Sequence, residues 1–360
     1  NAQLGHGRSC DMRSQSQIDK VFNDVHANAQ QRLEVCFDLA QSFVENYHGD
    51  PAYTSSLNVT REGVFEVFVE SLEHGCFEVS VDLECVVQIQ ALLASPGISE
   101  QLLDEDNNGA SVSRLTNLSL IFLFLHEFSH IEGNHFLALE DERARFYECP
   151  PSANVPSGLS SYLTGRATAE GIEIGDIYHC LELQADDLAF QLFFDSAFEE
   201  DWTQIRERAA AATLTFLVVD RAHSFESDQA TESHPSPEAR VFALTGFLLG
   251  LWLHDRAQTD HETGVVSVNT QEADVLARAD PFLSSVLQTV ISDMSLLMQA
   301  SGSAALYAKF EAAPMIIEDL GIWARSSGLA EDVFSTQGAK DAARLTGINA
   351  WLVSTVDALG

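Results

Sequence analysis

The sequence predicts a mostly helical α+β protein, and three observations predict it. One region, Phe65 to Glu84, alternates apolar and polar residues with period two, whereas elsewhere apolar residues recur at helical spacing. The chain has 360 residues, 46% of them apolar and 22 of them Phe, enough to bury a large core.

Taken in order, Ile18, Val21, Phe22 and Val25, then Leu33, Phe37, Ala40, Phe43 and Val44, predict one or two amphipathic helices between Ser16 and Tyr47. Gly49-Asp50-Pro51 ends them. Phe65, Val67 and Val69 lead through His74-Gly75 to Phe77, Val79, Val81 and Leu83, which alternate with Glu78, Ser80, Asp82 and Glu84. This predicts a small antiparallel sheet with one acidic, wet face. Ser95-Pro96-Gly97 and Asp104 to Gly109 are punctuation. Asp104, Asp106, Asn108 and Gly109 match the opening of a calcium loop, but the twelfth position is Leu115, where calcium needs a bidentate Glu, so a polar turn is expected. Beyond Arg114 the pattern is helical, with breaks near Cys149 to Gly158 and Glu232 to Pro237. Helices are expected near Leu115 to Leu139 and Ala167 to Phe194, and further on over Leu276 to Ala300, Ala304 to Phe310 and Asp341 to Leu359. Three parts follow: residues 1–110, N-terminal helices and the small sheet; 111–260, a helical core; and 261–360, a C-terminal helical region.

Lys plus Arg number 19 against 54 Asp plus Glu, a formal charge of −35. Such a field repels nucleic acid and anionic membrane surfaces. No basic patch offsets it, since even Arg206 to Arg221 carries Glu207 and Asp220. The longest apolar runs, Leu118 to Leu125 and Phe247 to Leu253, fall short of the ~18 residues of a membrane helix and read as buried helices. Six scattered Cys without a C-x-x-C pair fit reduced thiols, and with no signal-peptide pattern a cytoplasmic location is expected. Phosphate loops, nucleophile elbows and dinucleotide fingerprints are missing, which removes the usual support for nucleotide-dependent and serine-hydrolase chemistry.

The chemistry concentrates in His126-Glu127-Phe128-Ser129-His130, an HExxH motif set after the apolar run Leu120 to Leu125. On a helix His126 and His130 share a face, so two imidazoles can meet one zinc ion, and Glu127 sits beside it, able to take a proton from water and pass it to a leaving amine. Chance matches number about 0.03 per chain of this composition, so the motif carries weight. In apolar surroundings two unpaired His and a Glu are also costly unless a metal pairs them.

Catalytic zinc needs a third protein ligand. The metzincin pattern HExxHxxGxxH is missed narrowly: Gly133 is in place, but Phe136 stands where the third His belongs, and His135 comes one residue early. His135 is well round the helix from the ligand face and reads as a structural or supporting residue. The alternative is Glu182-Leu-Gln-Ala-Asp186-Asp187-Leu-Ala189, where Glu182 and Asp186 share a helix face between apolar Leu181, Leu183, Leu188 and Phe190. His179 lies three residues before Glu182 and reads as an ordinary satisfied histidine.

HEFSHIEGNH resembles the HExxH helix of the gluzincin metallopeptidases that include the CAAX prenyl protease and the bacterial heat-shock membrane protease. ELQADDLA is similar to their ExxAD segment, and Ser233-His-Pro-Ser-Pro-Glu-Ala-Arg240-Val241 to their T/S-H-P-x-x-x-x-R motif. The resemblance spans Leu118 to Val241, about a third of the chain. It implies a gluzincin-like zinc peptidase core with zinc ligands His126, His130 and Glu182, general base Glu127, Asp186 orienting a ligand histidine, His234 beside the substrate carbonyl, and Arg240 bracing the loop that bears His234. Those relatives are membrane enzymes and this chain has no spanning segment, so soluble members are the expected kin.

His234 also stands on its own chemistry, because an imidazole N–H can meet charge developing on a carbonyl oxygen. Ser233 can cap the helix that follows, with Pro235 or Pro237 in its first turn. The expected function is zinc-dependent hydrolysis of a peptide or protein substrate, with an extended substrate held on an edge strand within Val64 to Leu72 or Phe77 to Val87. Alternatives are a non-catalytic binding protein that keeps the fold, and a metal hydrolase of non-peptide amides.

Overall fold

The computed structural model describes residues 28–95, 98, 108–135, 159–195, 202–226, 234–254, 257–259, 266–268, 287–301, 313–323 and 331–357, apart from single positions 50, 52, 64, 73, 74 and 134. Helix α1 (Ala29–His48) starts on Asn28, whose side chain accepts from the Gln31 N–H at 2.9 Å, and stops at Gly49. The expected helical residues before Asn28 lie outside the described residues.

Three strands follow: β1 (Thr54–Thr60), β2 (Val67–Ser71) and β3 (Cys76–Asp82). Their order is β1-β3-β2, with β3 parallel to β1 and antiparallel to β2, so the sheet is mixed rather than antiparallel. β1 escapes the sequence pattern because only Leu57 and Val59 interrupt its Thr, Ser and Asn residues. The expected wet acidic face is also corrected. Ser80 and Asp82 are buried at 3% and 1% exposure, Leu83 caps a helix, and Glu84 begins it: α2 (Glu84–Leu93). Asp82 is tied up at this junction, accepting from Thr60 Oγ1 at 2.9 Å, the Glu62 N–H at 2.6 Å and the Glu84 N–H at 2.8 Å.

Helix α3 (Asn108–Glu132) is the centre of the molecule, packed against α1, α5 (Ile174–Asp195) and α6 (Trp202–Glu226). It starts earlier and ends earlier than the expected Leu115 to Leu139. Because Leu115 is buried inside this helix, it is a core residue rather than the last ligand of a calcium loop. Asp104 and Asp106 of that motif lie outside the described residues. From Leu115 to Ile131 every side chain of α3 is buried; Thr116 and Ser129 donate to carbonyls of the helix itself, and other polar groups are matched from neighbours. Arg32 donates to Ser113 and Asn117 at 2.9 Å each, and Ser119 donates to the Ala211 carbonyl at 3.1 Å. Phe122 stacks on Phe190 and meets Phe193 and Phe216, full burial of each ring being worth about 1.5–3 kcal/mol.

The expected single helix over Ala167 to Phe194 is two, α4 (Leu159–Glu170) and α5. Gly171 separates them at φ +75°, where Ile172 N–H returns to the Ala167 carbonyl at 2.9 Å. After α6 comes α7 (Pro237–His254), with Pro237 in its first turn and Ser236 accepting from the Ala239 N–H at 3.3 Å, while Ser233, the expected cap, lies outside the described residues. A two-stranded ribbon, β4 (Ala257–Thr259) and β5 (Val266–Val268), follows. The expected helix from Leu276 begins at Gln288 among the described residues, as α8 (Gln288–Ala300). The expected helix over Ala304 to Phe310 lies outside the described residues. α9 (Ala313–Trp323) and α10 (Gln337–Asp357) complete the chain, and α10 packs on α7 and α5.

One buried apolar cluster runs from Leu33 to Ala343 and draws on all three parts of the chain. Among the described residues no helix is long and apolar enough to cross a membrane. Cys36, Cys76, Cys85 and Cys180 are free thiols.

Candidate metal centre

His126 and His130 sit in the last two turns of α3, four residues apart on one face. α5 brings Glu182 and Asp186 opposite them at the same spacing, and the segment ahead of α7 brings His234, with Arg240 in α7 itself. Each helix is placed by its own apolar surface: Phe122 and Phe190 stack between α3 and α5, and Phe242 anchors α7 in the same core.

His126, His130 and Glu182 converge, with one ligand atom from each lying within 4.8 Å of the others. His126 Nε2 stands 3.2 Å from His130 Nε2 and 3.1 Å from Glu182 Oε2, and His130 Nε2 stands 3.4 Å from Glu182 Oε1. Zinc bonds of 2.0–2.1 Å at the tetrahedral angle require ligand edges of about 3.3–3.4 Å. The two Glu182 distances go to its two different oxygens, so the donor set suits zinc in its chemistry, two nitrogens and a carboxylate, and in lying close enough together to share one ion. His126 Nδ1 donates to Asp186 Oδ1 at 2.9 Å, and His130 Nδ1 meets His135 Nδ1 at 2.9 Å.

Asp186 is wholly buried and held by Arg240, whose Nε and Nη2 donate to its two oxygens at 2.7 and 2.6 Å. The same guanidinium lies 4.2 Å from the Phe216 ring centroid. Arg240 thus clamps the carboxylate that holds His126, and in doing so ties α7 to α5. His234, with 30% of its side chain exposed, reaches Glu182 Oε2 with Nε2 at 3.3 Å. His179 is half-buried and outside the converging set.

The charges are arranged for a cation. Burial opposes ionisation of Glu182, yet His234, His130 and His126 together hold its carboxyl well below the usual range. Burial likewise disfavours His126 protonation, but hydrogen bonds to Asp186 and Glu182 overcome it and raise its pKa to about 10, so positive charge is favoured at this ring and a metal would have to displace its Nε2 proton. Burial pushes His130 down to about 3, so that imidazole is neutral and a lone-pair donor. Glu127 is different: burial raises its carboxyl to about 7, with His126 opposing, which places a proton acceptor and donor near neutrality.

Glu127 and His126 open onto a cleft of about 320 Å³ lined also by Phe65, Glu66, Val67, Phe68, Leu123, Thr215, Val219, His234 and Arg240. The expected site residues thus come together from separate elements, and Phe65 to Phe68, where the chain enters β2, join them. Sequence reasoning missed Thr215 and Val219, since nothing distinguishes them from other core positions of α6. Compared with protein-family models, with curated proteins and with solved structures, the chain matches none.

Proposed function

We propose that the protein is a zinc-dependent peptidase. The observation that carries this reading is the convergence of His126, His130 and Glu182, one ligand atom from each within 4.8 Å of the others, with Glu127 beside them on an open cleft. A zinc ion held by these three residues lowers the pKa of water toward 7 and polarises a carbonyl. Glu127 takes the proton from the attacking water and delivers it to the leaving amine, a task suited to a carboxyl near pH 7. His234 projects into the same cleft and donates toward the oxygen on which charge develops.

The substrate seat favoured is β2, an edge strand beside the cleft. β3 carries a partner on both sides, which removes the Phe77 to Val87 segment as a docking strand. Glu66 accepts from the Asp82 N–H and Leu72 donates to the Cys76 carbonyl, so the intervening residues Val67 and Val69 turn their backbone groups to the open edge. An extended peptide pairing there runs past Glu127 and His126.

The purified protein is expected to hold about one zinc per chain and to lose peptide hydrolysis to a chelator. Glu127→Gln should keep the metal and lower kcat by about 10²–10⁴. A wild-type protein that takes up no zinc, or a Glu127→Gln variant with full activity on a peptide library, overturns the reading.

A further inference from the structure

A second cavity, of about 340 Å³, lies where α5, α7 and α10 meet the end of α9. Leu183 and Asp187 of α5 line it. Each directly follows a residue of the candidate centre, Glu182 or Asp186, so their side chains stand about 100° further round the helix, on a different face. Phe242 and Phe247 of α7 and Trp323 of α9 supply aromatic walls, with Phe242 and Trp323 meeting edge to face at 5.6 Å.

The lining is mostly apolar and carries one charge. Asp187 Oδ2 accepts from the Gln191 side chain at 3.0 Å, and the other carboxylate oxygen has no hydrogen-bond partner among the described residues. Asp187 is exposed, which leaves it open to a ligand. Whereas Asp186 is paired with Arg240, no Lys, Arg or His among the described residues lines this cavity. Cys180 and Thr346 spend their donors on the Leu345 and Ala342 carbonyls, and Gln184 donates to Asn349, a bond that ties α5 to α10.

These groups select among ligands. An anion would meet Asp187 and the chain's −35 charge with no cation to receive it. A neutral molecule covering Asp187 would strip water from a carboxylate and return nothing. An ammonium group on an apolar body satisfies both demands, pairing with Asp187 and lying against aromatic faces. The volume suits a small ligand. Gly246 keeps part of that volume open, since a Cβ there would meet nothing nearer than Leu320 Cδ2 at 3.8 Å.

We propose that this cavity is a binding site for an organic ammonium ion of arylalkylamine size, with Asp187 as counter-ion and Phe242, Phe247 and Trp323 as walls. The site is separate from the candidate metal centre and does not depend on the peptidase reading.

The test is calorimetric titration of the full chain, freed of metal by a chelator so that no amine binds zinc. The probes are phenethylamine, its neutral counterpart phenethyl alcohol and the anion hydrocinnamate. Wild type should bind the amine with a Kd of about 1 mM or tighter, the alcohol about fivefold or more weakly, and the acid not measurably. Asp187→Asn should bind amine and alcohol alike, and Gly246→Leu, which fills the cavity, should bind neither. Thr346→Lys, at an exposed position of the lining, leaves the core untouched and supplies its own ammonium, which should weaken amine binding about tenfold. Three results overturn the site: no amine binding by wild type at ten times that concentration, equal affinity of wild type for amine and alcohol, or wild-type amine affinity in both Asp187→Asn and Thr346→Lys.

Discussion

Gly133 illustrates how one residue next to the motif matters through contact rather than backbone freedom. A Cβ at that position would lie 2.4 Å from His135 Nε2 and 3.0 Å from the Ser129 carbonyl. The imidazole has little room to retreat, being buried and held between His130 and Gln184. Gly133→Ala should therefore cost about 1–3 kcal/mol in denaturant unfolding, as overpacking does. It should also weaken zinc binding, because the displaced ring is the one that meets His130. Single residues were most legible where spacing carries chemistry. His126, Glu127 and His130 are named by an HExxH, and Glu182 with Asp186 by an acidic i, i+4 pair. Gln184 and Asn349 were illegible, since an amide pairs with whatever the fold brings near and no spacing rule announces it.

Helices and strands hold the site through a few buried polar joints. Arg240 joins α7 to α5 by a two-point bond to Asp186, both residues being nearly inaccessible. Arg240→Leu strands a buried carboxylate and should destabilise by about 3–5 kcal/mol in equilibrium unfolding. Arg240→Lys should recover little, lacking the planar fork. The joint between β3 and α2 is pH-sensitive. Burial alone raises the Asp82 carboxyl, but hydrogen bonds from the Glu84 and Glu62 N–H groups and Thr60 hold it below the ordinary value. A depressed folded-state pKa stabilises above the unfolded value of about 3.9 and fades as pH falls through the folded one. Asp82→Asn should thus unfold at lower denaturant than wild type near pH 6, with the gap closing below about pH 4. Element boundaries were partly legible. Gly49 announced the end of α1, but the break at Gly171 was concealed within an otherwise helical pattern. β1 was hidden because pairing with β3, not its own pattern, makes Thr54–Thr60 a strand.

For the whole molecule, the −35 charge and the apolar fraction set the terms. Glu66 lines the cleft within that negative field, so basic peptides should be attracted to it. The expected result is a steep fall of kcat/KM with added salt for Lys- or Arg-rich peptides and a flat response for neutral ones, and equal slopes would assign the charge to solvation alone. Reading along the chain was enough to establish that it is mostly helical, that it has a large core, and that two imidazoles and a carboxylate share one helix turn. These are consequences of period and spacing, which are local properties. The packed fold was needed to establish that the sheet is mixed, that Arg240 clamps Asp186, that Glu182 meets both histidines, and that α10 meets α5 through Asn349 and Gln184. Those contacts join residues far apart in the chain, and they exist because separate apolar faces pack into one core, which fixes where the polar side chains between them must meet.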